Sequence, residues 1–377
     1  MYRPFREHHL FQILDTYDEA RAPMDSFLRV YFRQNKSVGS KDRKEIVEAL
    51  YGMLRWKALL DHFCEGKPSW EERYKIYKEI DLAGHLEDGT IPPHVRLSFP
   101  KHLFSLLVDA YGPEHASEIC LNSNFPAPTT IRVNTLKISR RQLLKKWGGE
   151  YDVVPCEHSP HGITFRRKIN FFALEDFKKG FFEIQDEGSQ LLASLAQLKK
   201  GDHIMDYCAG AGGKTLAFAP QLGGTGQIFL HDIREHALDE ASKRLRRAGV
   251  QNAQIIKADS PHLKKLKKKM DWVFVDAPCS GSGTMRRNPD MKWRFDLEML
   301  HRLIKLQRHV FEKALSFMRP GGRIVYATCS LFPSENEEQV ARFVDLYDLE
   351  IEGEAIKTLP EEGKMDGFYG VVLKKRN

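Results

Sequence analysis

The chain of 377 residues is long enough for two or three domains of ordinary size. Apolar residues make up 42% and charged residues 29%, a balance that excludes disorder, collagen-like repeats and low complexity as overall descriptions. The 58 Lys and Arg against 51 Asp and Glu give a formal charge of +7, a mild surplus that favours polyanions such as nucleic acid without requiring one.

Residues 1–95 are predicted to be a helical region, because apolar side chains recur there at helical spacing after Gly39 and Ser40. The prolines of Ile91-Pro92-Pro93 cannot continue a helix, so a boundary is expected between residues 84 and 100. Acidic side chains in the first 20 residues exclude a signal peptide, and no run of about 18 apolar residues occurs. We therefore expect a soluble cytoplasmic protein that engages no membrane.

Residues 96–184 are predicted to form a linker helix followed by a small α+β subdomain. The β-branched run 129–134 predicts a strand, and Ser139 with Gln142 three residues later predicts a capping box at the start of a basic helix. Short strands are expected near residues 151–155 and 162–165. Such a unit with one basic face could dock RNA, although the basic helix could equally be a solvated face of a structural subdomain.

Residues 185–377 alternate strands with helices and are predicted to form a doubly wound, Rossmann-like α/β domain. Helices are expected at Glu235–Ala248 and Leu297–Met318. Ligands of such sheets lie at the carboxyl ends of the strands, so the loops after each strand are where chemistry is expected. The predicted strands are His203–Tyr207, Gln227–His231, Ala253–Lys257, Trp272–Val275 and Arg323–Thr328.

The loop after the first of these strands is rich in small residues from Cys208 to Gly213, which would let a ligand approach the backbone. A P-loop would need Gly where Cys208 stands, and a dinucleotide fingerprint would need Gly where Thr215 stands, so ATP hydrolysis and NAD chemistry are both disfavoured. A glycine-rich turn that merely closes a strand–helix corner is the alternative.

Acidic residues follow the next two strands. Asp232 ends the second strand, where a carboxylate can accept hydrogen bonds from ribose hydroxyls, and Asp259 follows the third. Either residue alone could be a helix cap. Three strand-end positions in register, beginning at the glycine loop, instead predict a site for an adenosine-like cofactor without a triphosphate.

The fourth and fifth strands each end in a cysteine. Asp276 and Cys279 follow one strand and Cys329 follows the other, so both loops should open into the same crevice. A buried cysteine is usually an inert apolar residue, but two at adjacent strand ends beside a carboxylate indicate chemistry. Nearby arginines would lower a thiol's pKa and raise the thiolate fraction. The six cysteines contain no Cys-x-x-Cys pair, which disfavours disulfides and a metal site and leaves these two as free thiols.

These segments together resemble the RNA cytosine-5 methyltransferases of the Sun/Fmu (RsmB-like) family, and within it the bacterial enzymes that act on 16S ribosomal RNA. The resemblance covers roughly residues 95–377, in the family's order and spacing, and the two cysteine motifs together are highly specific. Further matches lie at Arg132–Thr135, Gln185–Ser189, Pro320–Gly322, Glu335–Glu337 and Asp366–Tyr369.

The resemblance implies a class I fold that uses S-adenosylmethionine as methyl donor. It further implies that Cys329 is the nucleophile that adds to carbon 6 of cytosine, that Asp276 holds the base at N3, and that Cys279 assists product release. Carbon 5 of cytosine needs such a covalent adduct before it is nucleophilic enough to accept a methyl group. The implied cofactor-binding residues are Cys208, Ala209, Gly210, Ala211, Gly212, Gly213, Lys214, Asp232, Asp259 and Asp276.

Two features depart from the family's pattern. Gly210-Ala211 stands where the family's loop has Ala-Pro, which should loosen the turn and affect cofactor affinity rather than cofactor identity. The family's ribosomal RNA enzyme also carries a NusB-like bundle, to which residues 1–95 correspond only as a shorter, degenerate helical region.

RNA contact is predicted for basic and polar residues outside the cofactor loops. The lysines within 264–269 and the basic helix 140–146 could line an RNA path, although a lysine run is often only a solvated helix face. The target cytosine must be unstacked to enter the crevice. The residues assigned to RNA contact are Arg286, Arg287, Arg132 and Asn134.

Several functions remain open from sequence. Ribosomal RNA is the expected partner of a monomeric enzyme, with transfer RNA as the alternative substrate. DNA cytosine-5 methylation is the nearest alternative because Pro278-Cys279 is present, but the second cysteine at Cys329 favours the RNA class. Amino-group methylation is disfavoured because no Pro-Pro-aromatic segment follows Asp276. A ribosome-assembly or RNA-binding factor without turnover is the alternative of a different class.

Overall fold

The computed structural model describes residues 3–20, 22–167 and 169–376, and residues 1, 2, 21, 168 and 377 lie outside the described residues. The chain groups into two compact units, one of Met1–Pro126 with Thr284–Leu297 and the other of Ala127–Gly283 with Glu298–Asn377. The division at residues 95 and 184 stays a proposal about domain organisation. No helix in the described part of the chain has the length and apolar character that crossing a membrane requires.

The first unit is helical, as predicted for its amino-terminal part. Its long helix α3 places Ile46, Leu50 and Leu54 on one buried face, which packs on apolar residues of α1 and α2. Burial of such a face, rather than helix propensity, supplies most of a helix's stability in a folded protein. The helices are α1 (Phe5–Ala20), α2 (Met24–Gln34), α3 (Ser40–Phe63), α4 (Trp70–Glu79), α5 (Leu82–Leu86), α6 (Pro93–Arg96), α7 (Lys101–Tyr111) and α8 (Pro113–Ser123).

The second unit begins with a small antiparallel sheet in the order β2-β3-β1-β4. The predicted capping box is present, because Ser139 accepts from the Gln142 amide and the Gln142 side chain accepts from the Ser139 amide. Strand β4 was not predicted. The elements are β1 (Thr129–Val133), α9 (Arg140–Trp147), β2 (Val153–Pro155), β3 (Gly162–Phe165), α10 (Glu175–Lys178) and β4 (Phe182–Ile184).

A seven-stranded sheet in the order β10-β11-β9-β8-β5-β6-β7 forms the rest of this unit. The five predicted strands are confirmed and pair in parallel, whereas β11, which was not predicted, runs antiparallel to both β9 and β10. The Rossmann-like prediction is therefore confirmed. The strands are β5 (His203–Asp206), β6 (Gln227–His231), β7 (Ala253–Ile256), β8 (Met270–Asp276), β9 (Met318–Thr328), β10 (Leu349–Thr358) and β11 (Phe368–Lys375).

Helices cover both faces of the large sheet. Apolar residues of α11, α12 and α13 form one core with the sheet, and those of α14, α16 and α17 form another. The helices of this unit are α11 (Glu187–Ser194), α12 (Gly213–Phe218), α13 (Glu235–Ala248), α14 (Pro261–Lys265), α16 (Leu297–Leu315) and α17 (Glu337–Tyr347). Helix α15 (Met291–Arg294) lies between α14 and α16 in the chain but belongs to the helical unit. Short 3₁₀ turns lie at Phe171–Ala173, Ala219–Leu222, Ser282–Thr284 and Pro333–Glu335.

The segment Thr284–Leu297, which includes α15, packs within the helical unit. Lys292 is buried there, and its Nζ donates to the carbonyls of Arg55 at 2.7 Å and Ser98 at 2.6 Å and to Asn124 Oδ1 at 2.7 Å. These three hydrogen bonds from the buried Lys292 therefore hold the segment Thr284–Leu297 in the helical unit. Arg286 is also buried, at 2% exposure, and contact of its side chain with RNA stays a prediction.

Candidate active site

The two strand-end cysteines lie against each other. Strands β8 and β9 are parallel neighbours with Asp276 paired to Ala327, so the loops that follow them leave the same edge of the sheet. The sulfur atoms of Cys279 and Cys329 are 3.3 Å apart, and the Cys329 amide donates to Cys279 Sγ at 3.4 Å. Both thiols are free and half-buried. The structure thus brings together two cysteines that are 50 residues apart in the chain.

The surroundings of Cys279 favour its neutral form. The hydrogen bond with Cys329, together with burial and the negative charge of Glu335, raises the pKa of Cys279 well above its ordinary value. Cys279 is consequently a neutral thiol at physiological pH, suited to holding a proton rather than to attacking an electrophile. The expectation that nearby arginines lower the pKa of this cysteine is wrong.

A buried lysine supports the carboxylate at the end of β8. Lys214 Nζ donates to Asp276 Oδ2 at 2.7 Å, and Lys214 is only 7% exposed. Burial by itself lowers the pKa of Lys214, but the charge and hydrogen bond of Asp276 outweigh it and raise that pKa above its ordinary value. The pair is therefore an ammonium–carboxylate ion pair, with the Asp276 side chain about one-third exposed.

The glycine loop after β5 is tied to β6. Gly210 and Gly212 have φ of 52° and 76°, a left-handed conformation that glycine adopts at little cost. The Gly210 amide donates to Asp232 Oδ2 at 2.8 Å, and Arg244 Nη1 donates to the Ala211 carbonyl at 2.8 Å. Gly210 stands where the family's loop has Ala, and it adopts a left-handed backbone conformation that would be strained in a residue with a β-carbon.

Asp232 and Asp259 differ in burial although both follow sheet strands. Asp232 is 4% exposed, and Arg234 donates to it through Nε and Nη2, each at 3.0 Å. Burial tends to raise the pKa of Asp232, but the hydrogen bonds of Arg234 and of the Gly210 amide hold that pKa below its usual value. Asp259 lies exposed in the turn after β7.

Asp206 at the end of β5 was not among the predicted site residues. It is fully buried, and Thr215 Oγ1 donates to its Oδ2 at 2.6 Å, while its Oδ1 has no hydrogen-bond partner. Burial, with a contribution from the charge of Asp276, raises the pKa of Asp206 to about 7. The signal was available in the sequence, because an acidic residue directly precedes the glycine loop. Burial also raises the pKa of Cys208, so this thiol lines the loop in its neutral form.

Comparison with known proteins places the chain among methyltransferases. The family model described as 16S rRNA methyltransferase RsmB/F matches residues 193–374, and that of the RsmF/B ferredoxin-like domain matches residues 99–171. Ribosomal RNA small subunit methyltransferase B of Vibrio vulnificus is 34% identical over 74% of this chain and 66% of its own length. The enzyme of that name from Proteus mirabilis is 31% identical over 74% of this chain and 67% of its own length. The chain belongs to the RsmB/F family.

The fold of this RsmB/F family member is also found in solved structures. The structure titled "Crystal Structure of PH0851" superimposes with a TM-score of 0.80 at 20% identity, and covers 100% of both chains. The family match contains every strand-end residue described above, from Asp206 to Cys329. The family's ferredoxin-like domain corresponds to most of the small sheet, which the sequence predicted as a compact α+β subdomain.

Two residues assigned to RNA contact are buried in the part of this RsmB/F family member that the ferredoxin-like domain model matches. Arg132 Nε donates to Gln185 Oε1 at 2.7 Å, and burial lowers the pKa of Arg132 to about 10. Asn134 Nδ2 donates to the carbonyls of Gly180 at 2.9 Å and Ala248 at 2.8 Å. Both residues are 3% exposed and their hydrogen bonds join the small sheet to its surroundings, and RNA contact by them stays a prediction. Arg287 is half-buried.

Proposed function

We propose that this protein transfers a methyl group from S-adenosylmethionine to carbon 5 of a cytosine in RNA, through a covalent adduct at carbon 6. The observation that carries the proposal is the contact between Cys279 and Cys329, with sulfur atoms 3.3 Å apart at neighbouring strand ends. One thiol that attacks and a second that holds a proton are what adduct formation and elimination require. The Asp276–Lys214 ion pair follows the same strand as Cys279.

The residues present fit the proposed cofactor. The unpartnered Oδ1 of Asp206 is buried and lacks a donor, which an ammonium group of the ligand would supply. The left-handed Gly210 is only half-buried and carries no side chain that would keep a ligand from the loop backbone, and Asp232 offers carboxylate oxygens for ribose hydroxyls. When bound, S-adenosylmethionine supplies an electrophilic methyl group. The residues proposed to hold it are Asp206, Cys208, Ala209, Gly210, Ala211, Gly212, Gly213, Lys214, Asp232, Asp259 and Asp276.

The chain's own groups account for activation of the base. Attack of the Cys329 thiolate on carbon 6 forms an S–C bond and moves the electrons of the 5,6 double bond towards carbon 5 and N3. Asp276 would hold the base by donating a proton to N3 as negative charge develops there, and Lys214 Nζ, 2.7 Å from Asp276, would supply that proton to the carboxylate. After methylation, the carbon 5 proton passes to water, the S–C bond breaks with its electrons on the Cys329 sulfur, and the N3 proton returns to the Asp276–Lys214 pair. The Cys279 S–H, whose sulfur is 3.3 Å from that of Cys329, would assist this elimination by donating to the departing thiolate.

The substrate we favour is 16S ribosomal RNA, because the two relatives compared above are named as small-subunit ribosomal RNA methyltransferases. Transfer RNA is the alternative substrate. A binding factor without turnover is disfavoured because it would have no need for two thiols in contact. Bisulfite sequencing of both RNA classes, from cells with and without the gene, identifies the target. We expect loss of one 5-methylcytosine in small-subunit ribosomal RNA, and a loss confined to transfer RNA would contradict that choice.

Single cysteine substitutions test the chemistry. We expect Cys329→Ala to abolish methyl transfer from labelled cofactor, because no adduct forms. We expect Cys279→Ala to accumulate a protein–RNA adduct that survives denaturing electrophoresis, because elimination is blocked. Cys64→Ala, a half-buried cysteine of the helical unit, is the matched control and should methylate normally. An adduct in Cys329→Ala instead would reverse the two roles, and absence of methyl transfer by the wild-type protein to any RNA pool would favour a binding factor.

A further inference from the structure

A buried carboxylate joins the two cysteine loops. Glu335 lies in the 3₁₀ turn that follows β9 and is 0% exposed. Its Oε1 accepts from the Ser280 amide at 2.9 Å and from Gln307 Nε2 at 2.8 Å. Its Oε2 accepts from the hydroxyls of Ser280 and Ser330, each at 2.5 Å. Four hydrogen bonds from uncharged donors thus converge on one side chain.

These donors lie next to the two thiols in sequence. Ser280 directly follows Cys279, and Ser330 directly follows Cys329. Gln307 extends the connection on the other side of Cys279, because its Nε2 also donates to the Pro278 carbonyl at 3.0 Å. A single carboxylate therefore fixes both loops in the immediate neighbourhood of the sulfur–sulfur contact.

The carboxylate is itself held in place. The Tyr326 hydroxyl of β9 donates to the Glu335 carbonyl at 2.7 Å, and Gln339 Nε2 of α17 donates to Gln307 Oε1 at 2.9 Å. A buried charge is costly unless hydrogen bonds replace its hydration, and here neutral donors from three parts of the chain do so. The network is rigid because its members are each fixed by a further contact.

We propose that Glu335 is a positioning residue that clamps the Cys279 and Cys329 loops together, so that the two thiols stay in contact while they act in turn. The kinetic part of this inference rests on the proposed function. The geometric part concerns only the distance between two sulfur atoms and is testable without methyl transfer. In the proposed reaction Glu335 does not contact the cytosine. It acts on the two thiols through Ser280 and Ser330.

Substitution of Glu335 by glutamine tests whether the clamp needs only the hydrogen bonds of this side chain or also its negative charge. The Oε1 position faces two obligate donors, the Ser280 amide and Gln307 Nε2, whereas the Oε2 position faces two hydroxyls, which can rotate to accept. A glutamine whose oxygen occupies the first position and whose amide nitrogen occupies the second can therefore satisfy all four partners. Glu335→Gln should keep the clamp, and Glu335→Ala should lose it.

The first measurement is the rate at which diamide converts Cys279 and Cys329 to a disulfide, scored by peptide mass spectrometry. Diamide takes up the two electrons and two protons that the thiols lose. We expect Glu335→Ala to slow this cross-link about tenfold or more, and Glu335→Gln to stay within about threefold of wild type, because close approach of reacting groups sets such rates. The matched control is Glu352→Gln, which changes a carboxylate of β10 that forms an ion pair with Arg323 of β9.

The second measurement is steady-state methylation of RNA. We expect kcat of Glu335→Ala to fall about a hundredfold with KM for RNA little changed, the cost of a misplacement of about 1 Å. Glu335→Gln should recover most of kcat and shift the pH–rate profile to lower pH, because a negative charge near the thiols is gone. If Glu335→Ala does not fold, Ser280→Ala and Ser330→Ala each remove one tie and should each slow the cross-link.

Two results would overturn the inference: a folded Glu335→Ala protein with wild-type cross-linking and kcat, or a folded Glu335→Gln protein as defective as Glu335→Ala. The serine variants provide the same refutation if both cross-link at the wild-type rate. A protein that never methylates RNA, yet loses cross-linking only in Glu335→Ala, would refute the proposed reaction while supporting the clamp.

Discussion

Ionisation of Asp206 should control how cofactor affinity depends on pH. The pKa of this carboxyl is raised to about 7 by burial, so in the ligand-free protein it is mostly protonated below that pH. A cationic group that donates to the unpartnered Oδ1 favours the ionised form, and binding should release a proton. Affinity therefore rises with pH through the window below about 7 and levels off above it.

The magnitude follows from the ionised fraction. With a pKa of about 7, roughly one-tenth of Asp206 is ionised at pH 6 and half at pH 7, so affinity should rise about fivefold over that unit and nearly tenfold per unit below it. Calorimetric titration with S-adenosylhomocysteine in buffers of different ionisation enthalpy measures both the affinity and the proton release.

Asp206→Asn is the variant that isolates this group. It keeps an oxygen that can accept from Thr215 but cannot ionise, so its affinity should be at least about tenfold lower at neutral pH, with the pH dependence abolished. The substitution Asp271→Asn, of an acid paired with Arg319 at the start of β8, is the control and should keep the wild-type profile. An affinity that is flat between pH 5.5 and pH 7 in the wild-type protein, or an unchanged slope in Asp206→Asn, would refute the reasoning.

Two further predictions concern the other buried contacts. Lys292→Met keeps the volume of the side chain but removes the lysine donor from three acceptors, two of them buried, so the free energy of unfolding should fall by about 3 kcal/mol or more in chemical denaturation. A loss below about 1 kcal/mol would show that these acceptors find other donors. Arg234→Ala frees the oxygens of Asp232 for a ligand's hydroxyls, and because the Arg234 side chain of this pair is largely exposed, cofactor affinity should rise by up to about fivefold. Weaker binding would assign Arg234 to ligand contact instead.

The strands that position the site could be predicted because they are buried on both faces. Runs such as Gln227–His231 and Met270–Asp276 consist largely of apolar residues and stand out from the helical spacing on either side. Strand β10 lacks this signal, because it lies at the sheet edge and carries five charged or polar residues among ten. Strand β11 does contain a buried run, and its pairing between β9 and β10 depends on contacts that no local pattern encodes.

Sheet topology explains why two of the predicted site residues meet, whereas two others are deeply buried. Cys279 and Cys329 meet because parallel strands that are neighbours in the sheet end at one edge, which follows from fold class alone. The family resemblance at Arg132–Thr135 carried no such geometric reason for assigning Arg132 and Asn134 to RNA contact. Their partners lie in distant parts of the chain, such as Ala248 for Asn134, so their burial follows only from tertiary structure.

Two buried acidic residues near the ends of sheet strands differ in how many hydrogen bonds their carboxylate oxygens accept from the protein. This number distinguishes a structural role from a ligand-binding one. Glu335 accepts four hydrogen bonds from the protein, and its oxygens have no need of a ligand. Asp206 accepts one from Thr215, keeps one oxygen without a partner, and has its pKa raised to about 7. A protein that leaves a buried carboxylate oxygen unpaired pays in stability unless something else supplies the donor. This contrast is why we propose Glu335 as a clamp within the chain and Asp206 as a contact for the cofactor.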